Sequence, residues 1–196
     1  MPKLSEPLKY EERILFFIDF LGWKNLIEQK EAGYIAHLLR DIMNDVLGGM
    51  HNKNRPRGYD ERTENQIHKL IAEIDYRVSY FSDCIVLSLP IPQNGDWTNI
   101  LHAINALRIK QIDFLKWGIF LRGGISIGNI IHGEVEVKSG WYEEMLYGDA
   151  LNHAYDLESK KAKYPRIIIE KEFYDRSEQE NKEHYIHPLD FLFAKD

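Results

Sequence analysis

Only one cysteine, Cys84, stands in the 196 residues. It leaves no intramolecular disulfide and suits a reducing compartment. Long apolar runs are missing too. Nothing approaches the roughly 20 residues of a membrane span, and the polar start MPKLSEPLKYEER has no signal-peptide core. The expectation is a cytoplasmic protein without a membrane segment. Positive charge is scarce, with 25 Lys and Arg against 31 Asp and Glu. That balance argues against nucleic-acid binding through a broad basic surface, and leaves room for a local anion pocket. No repeat, low-complexity tract or composition break divides the chain, so one domain over residues 1–196 is expected, with its core over about 13–170.

What is present reads as alternating strands and helices. Ile14 to Ile18 is an apolar run too short for a helix, the pattern of a buried central strand. It ends at Asp19, followed by a Phe20-Leu21-Gly22-Trp23 turn and a short helix with Trp23, Leu26 and Ile27 on one face. Tyr34 to Leu47 repeats the helical spacing and stops at Gly48-Gly49. A polar loop is expected over about 50–65, where Arg55 and Arg57 are solvated or reach a phosphate.

Arg77–Tyr80 and Cys84–Leu89 form the arms of an expected hairpin with Asp83 at its turn, and Pro90 and Pro92 end the second arm. Trp97 to Trp117 is the longest helical pattern, with Ile100, Leu101, Ile104, Leu107, Ile112 and Leu115 as its apolar set. A second hairpin is expected from Ile119–Ile127 and Ile130–Val137 about a Gly128-Asn129 turn. A helix over about Asp149–Lys160, a strand over Arg166–Ile169 and a short helix near Phe173 follow. The order predicts an α+β fold, a mostly antiparallel sheet with helices packed on it.

Asp19 and Asp83 each close a strand edge. If those strands are neighbours, two hard carboxylates meet at one end of the sheet, a set that suits Mg²⁺ or Mn²⁺ carrying a polyphosphate. The competing reading of Asp19 is a helix N-cap. His184 and His187 lack further ligands at zinc spacing, and Cys84, inside a β-arm, reads as a small packing residue. His132 offers no basis for a catalytic role.

Four blocks carry a resemblance. FFIDFLGWKNLI resembles the first metal strand and phosphate turn of the class III nucleotide cyclases. SYFSDCIVLS resembles their hairpin with the second metal Asp, with Ser82 where the family commonly has Gly. LRGGISIGNIIHGEV resembles their R-x-G-I-x-x-G segment, and YGDALNHAYDLES their N-x-A-x-R-L-E-S helix. The resemblance implies a ferredoxin-like domain in a head-to-tail homodimer with interfacial active sites, acting on a nucleoside triphosphate. It implies two divalent ions, Mn or Mg, held by Asp19 and Asp83 with the Phe20 carbonyl assisting. It further implies phosphates cradled by the amides of Phe20, Leu21, Gly22 and Trp23, and a ribose oriented by Asn152 across the interface.

The pattern also departs from the family. Asp156 stands where the family has its transition-state Arg, and the tail HYIHPLDFLFAKD holds no clear match to its late Lys. Arg122 is the nearest replacement cation, its other reading being a strand-edge surface residue. The base-reading positions fall near Ser79 and Met145, with neither purine charge pair, and the adjacent Tyr80 either narrows the base pocket or packs across strands. These departures resemble the stand-alone bacterial pyrimidine cyclases of the Pycsar antiphage system. The implied product is cyclic UMP, with cyclic CMP as the alternative, and the implied partner is a separate cyclic-nucleotide-sensing effector. An atypical purine cyclase and a silent nucleotide-binding domain are the other readings.

Overall fold

The structure is a computed structural model that describes residues 9–46, 75–93, 95, 97–115, 118–138 and 140–180. The loop over 50–65 with Arg55 and Arg57, the Gly48-Gly49 stop, and the tail with His184 and His187 lie outside the described residues. Contacts group the chain into two compact units, Met1–Phe20 with Tyr76–Ile91 and Leu121–Gln179, and Leu21–Asp75 with Pro92–Phe120 and Glu180–Asp196.

The first unit is built on a sheet. Strand β1 (Glu11–Leu21) lies at its centre, and Ile14, Leu15, Phe16 and Ile18 are buried on both faces, as a continuous apolar run requires. Strands β2 (Arg77–Phe81) and β3 (Cys84–Pro90) form the expected hairpin. β4 (Phe120–Lys138), β5 (Trp141–Gly148) and the short β6 (Ile167–Ile169) complete the order β2-β3-β1-β4-β5, with β6 pairing β4. β1/β3, β2/β3 and β4/β5 are antiparallel, and β4/β6 is parallel.

One expectation fails here. Gly128-Asn129 is no hairpin turn, because β4 runs straight through it and the chain reverses only before Trp141. The glycine at 128 serves close approach instead. A Cβ there would lie 2.7 Å from Asp149 Oδ1 and 3.2 Å from the Ala150 amide. Strand β5, which sequence periodicity does not reveal, is the true second arm. Gly123 and Gly124 in the same strand have a similar cause. Their Cβ atoms would meet the Phe17 carbonyl at 2.5 Å and Leu157 Cβ at 2.8 Å, so bare backbone is what lets β4 lie against its neighbours.

Helix α4 (Asp149–Asp156; α1–α3 are described below) packs Ala150 and Ala154 against Leu15, Val86 and Ile130 of the sheet. It runs into a π-turn at Leu157–Lys161, closed by the Ala162 amide donating to the Leu157 carbonyl at 2.9 Å. Helix α5 (Lys171–Glu180) follows β6 and buries Phe173.

The second unit is helical: α1 (Trp23–Gln29), α2 (Ala32–Val46) and α3 (Thr98–Leu115), the last two packed on each other. Helix α3 buries Ile100, Leu101, Ile104, Leu107 and Phe114. Ile112 and Leu115, expected on the same face, are exposed because they sit off the stripe that runs through 107 and 114. Among the described residues no helix is long and apolar enough to cross a membrane.

Candidate metal and nucleotide site

The register of β1 against β3 sets the site. Asp19 pairs with Cys84 at the last rung, and the Phe20 amide donates to the Asp83 carbonyl at 2.9 Å. Across the hairpin Phe81 pairs with Cys84, leaving Ser82 and Asp83 as a two-residue loop. Asp83 therefore projects from the tip that adjoins the end of β1. One ligand atom each from Asp19, Asp83 and Cys84 lies within 4.8 Å of the others. The neighbour condition set by the sequence is met, and Asp19 caps no helix: α1 begins after Gly22, without a side-chain cap.

The donor set fits a hard divalent cation. Two carboxylates supply oxygen ligands with open positions, as Mg²⁺ and Mn²⁺ require. The Cys84 thiol lies 3.6 Å from Asp19 Oδ1 and 3.9 Å from Asp83 Oδ1. Burial, then the two carboxylates, push it up to about 12. It stays a neutral thiol, which agrees with its reading as no nucleophile, yet places it inside the ligand cluster rather than in plain packing.

Arg122 closes the other side. Its Nη2 donates to Asp19 Oδ2 at 3.1 Å and also pairs with Glu158 from the π-turn. Glu158 is 4% exposed. Burial raises its carboxyl above the ordinary value, Arg122 opposes that, and Asp19 and Asp83 add to it. Arg122 Nε is buried without a hydrogen-bond partner among the described residues. Arg122 is thus no loose surface arginine, but a cation held between a candidate metal ligand and a buried acid.

The other expected residues are placed as follows. Leu21 ends β1, and Gly22 turns the chain with φ 82 into α1, where Trp23 is buried. The Phe20 amide, engaged with Asp83, is not open to a phosphate while that bond holds. Ser79 is 2% exposed and bonds His132 and Glu144 instead of facing solvent. Tyr80 is exposed on β2, and partial burial followed by the neighbouring Tyr76 keeps its phenol above the ordinary value. Met145 sits opposite Gly133 on β5. Asn152 is exposed on α4, and Asp156, four residues on, bonds Lys160 Nζ at 2.7 Å as a surface pair.

Sequence reasoning missed Glu158 and the place of Cys84, although Cys84 adjoins Asp83 and Glu158 stands in the quoted YGDALNHAYDLES block. It also did not single out Glu144, Ser88 or Arg13 and set His132, here buried, aside, because their chain positions carry no local signature.

No protein-family model matches the chain, and no curated protein does. Solved structures do. The adenylyl cyclase CyaB of P. aeruginosa superposes with TM-score 0.55 at 19% identity, over 88% of this chain and 84% of that one. A bacterial light-regulated adenylyl cyclase gives 0.56 at 18%, over 90% of this chain and 47% of that chain. The monomeric guanylyl cyclase domain of the RhoGC fusion protein from the aquatic fungus Blastocladiella emersonii gives 0.51 at 17%, over 93% and 91%. The fold is that of a class III nucleotide cyclase domain. At these identities the likeness concerns architecture, and the α+β expectation holds with it.

Proposed function

We propose that this chain cyclises a pyrimidine nucleoside triphosphate, UTP first, to the 3′,5′-cyclic monophosphate and pyrophosphate, as the signal-making half of an antiphage system. The observation that carries the reaction class is the convergence of Asp19 and Asp83 at one end of a cyclase-type sheet. The pyrimidine choice and the defence role rest on the Pycsar resemblance of the quoted blocks and on the absence of either purine charge pair at Ser79 and Met145.

In this reading Asp19 and Asp83 hold two divalent ions, Mn or Mg, with the Phe20 carbonyl assisting. Held by these carboxylates, such ions would supply Lewis acidity that lowers the pKa of the attacking hydroxyl and charge that offsets the departing pyrophosphate. The amides of Leu21, Gly22 and Trp23 receive the phosphates. Arg122, kept in place by Glu158, faces the developing charge on the α-phosphate. Asn152 of the partner subunit orients the ribose so that its 3′-oxygen attacks the α-phosphorus in line. Tyr80 and Met145 border the base. The product, not the chain itself, reaches the effector.

A second reading is CTP to cyclic CMP. The exposed Glu144 carboxylate beside Ser79 only accepts hydrogen bonds, and both the exocyclic amino group of cytosine and the N3–H of uracil donate, so the acceptor suits either pyrimidine. Purified protein incubated with Mn²⁺ and each of the four triphosphates, followed by mass spectrometry, decides among them. Cyclic UMP supports the first reading and cyclic CMP the second. Cyclic AMP or GMP overturns the pyrimidine choice, and no product from any of the four overturns the enzyme. A mixture of Asp19→Ala and Asn152→Ala chains regains part of the activity if the site is shared between subunits.

A further inference from the structure

Arg13, Ser79, Ser88, His132 and Glu144 come one each from β1, β2, β3, β4 and β5 and form a single hydrogen-bonded chain. Arg13 Nε lies 3.0 Å from Ser88 Oγ, and Ser88 Oγ lies 2.8 Å from His132 Nδ1. His132 Nε2 lies 2.8 Å from Ser79 Oγ, and Ser79 Oγ meets Glu144 Oε1. The first four residues are buried, and Glu144 alone is exposed.

The two ends constrain the bonds between them. A guanidinium only donates and a carboxylate only accepts. Ser88 therefore accepts from Arg13, and its own O–H is available to His132 Nδ1. Ser79 turns its O–H onto Glu144, so its oxygen must accept from His132 Nε2–H. A neutral imidazole with its proton on Nε2 satisfies all five groups at once. A proton on Nδ1 alone would leave Nε2 without a hydrogen to give Ser79.

Further charged groups neighbour this chain. Arg77 Nη1 donates to the His132 carbonyl at 2.7 Å, and Arg13 and Arg77 both pair with Glu11, at 3.0 and 2.8 Å.

We propose that His132 is a positioning residue for base selection, holding Glu144 through the Ser79 hydroxyl so that its carboxylate presents a fixed acceptor to a nucleobase N–H. This rests on the nucleotide-cyclase reading, and it moves the base-facing group from the buried Ser79 to Glu144. The selectivity of the pair is set from inside the sheet, because a hydroxyl that has lost its partner on one side is free to rotate on the other.

The test uses the full chain labelled with ¹⁵N-histidine. Long-range ¹⁵N–¹H correlation is expected to show His132 as the Nε2–H tautomer, with that bias weakened in Ser79→Ala. The ratio of kcat/KM between the preferred triphosphate and the other three is expected to fall about tenfold in Ser79→Ala, the loss of one buried hydrogen bond. His132→Gln, whose amide donates toward Ser79, should keep more of that ratio than His132→Leu. A proton on Nδ1, or an unaltered preference in folded Ser79→Ala, overturns the inference. The same preference is read as binding of four 3′-deoxy triphosphates, which cannot cyclise. A chain that makes no cyclic product yet loses its binding preference in Ser79→Ala would sink the enzymatic reading and leave the role of His132 standing.

Discussion

Around Arg122, Asp19 and Glu158 share one guanidinium and the Asp83 carboxylate stands close to Asp19, whereas along the chain through His132 one guanidinium and one carboxylate bracket two hydroxyls and an imidazole. Both clusters lie in the sheet-bearing unit. Among the described residues the first holds three carboxylates to one guanidinium, and a bound cation would stabilise a partly buried excess of that kind. The second is satisfied from within and asks for no ligand except at its exposed end. In the proposed reading the excess charge marks the metal site, and the satisfied hydrogen bonds mark the scaffold beside it.

The strongest way to break that division is to remove one member of each cluster. Asp83→Ala should cut the metal-dependent formation of cyclic nucleotide by about 10²–10³, the loss typical of a lost electrostatic stabiliser. Its urea midpoint should stay close to that of the parent, because Asp83 sits at a hairpin tip and accepts from the Phe20 amide through its backbone carbonyl, which alanine keeps. Arg13→Met should do the reverse. Arg13 is 2% exposed and donates to both the hydroxyl and the carbonyl of Ser88, so its loss should lower unfolding free energy by about 2–3 kcal/mol. Folding stability followed by urea denaturation checks both. An Asp83→Ala chain that unfolds would place Asp83 with the scaffold and erase the contrast.

How much of this was legible depends on whether a residue announces itself locally. The β1 run, the β2–β3 hairpin and the pair Asp19 and Asp83 were readable because a carboxylate at the end of an apolar strand contrasts with its neighbours. Glu158 was not, since its meaning depends on the π-turn that carries it inward to Arg122. The five-strand chain was invisible for a stronger reason. Serine, histidine and arginine in strands read as ordinary surface residues until β4 is known to continue past Gly128 and bring His132 to Ser79 and Ser88. The misplaced hairpin turn and the missed chain are therefore one error with one cause: a glycine that makes room for a helix looks, in sequence, like a glycine that makes a turn.

A pH series sharpens the comparison further. Burial holds the Glu158 carboxyl above its ordinary value of 4.5. Between that value and the raised one the folded chain binds more protons than the unfolded chain, so stability falls as pH rises through the window. The contribution is complete below the unfolded value and lost above the folded one. Glu158→Gln should flatten this slope. Saturating Mn²⁺ should flatten it as well, because a cation beside Asp19 and Asp83 favours the ionised form. Thermal midpoints of both proteins between about pH 4 and 7, with and without Mn²⁺, measure it. An unchanged slope in Glu158→Gln would assign the acid sensitivity to another group.

The smallest effect is expected at Ser82, and it tests whether the hairpin tip belongs to the site or only connects two strands. Ser82 adopts φ 51 at the first position of a two-residue loop, where a primed turn favours glycine. An L-residue there carries about 1–2 kcal/mol of strain, while glycine would add roughly 0.5–1 kcal/mol of backbone entropy loss on folding. Ser82→Gly should therefore stabilise the fold by only about 0.5–1 kcal/mol, within reach of careful urea denaturation. If the stability gain appears and the yield of cyclic product holds, the strained serine is incidental to Asp83. If stability rises while product falls, the rigidity of the tip is what keeps the Asp83 carboxylate beside Asp19, and the strain belongs to the metal cluster rather than to the scaffold.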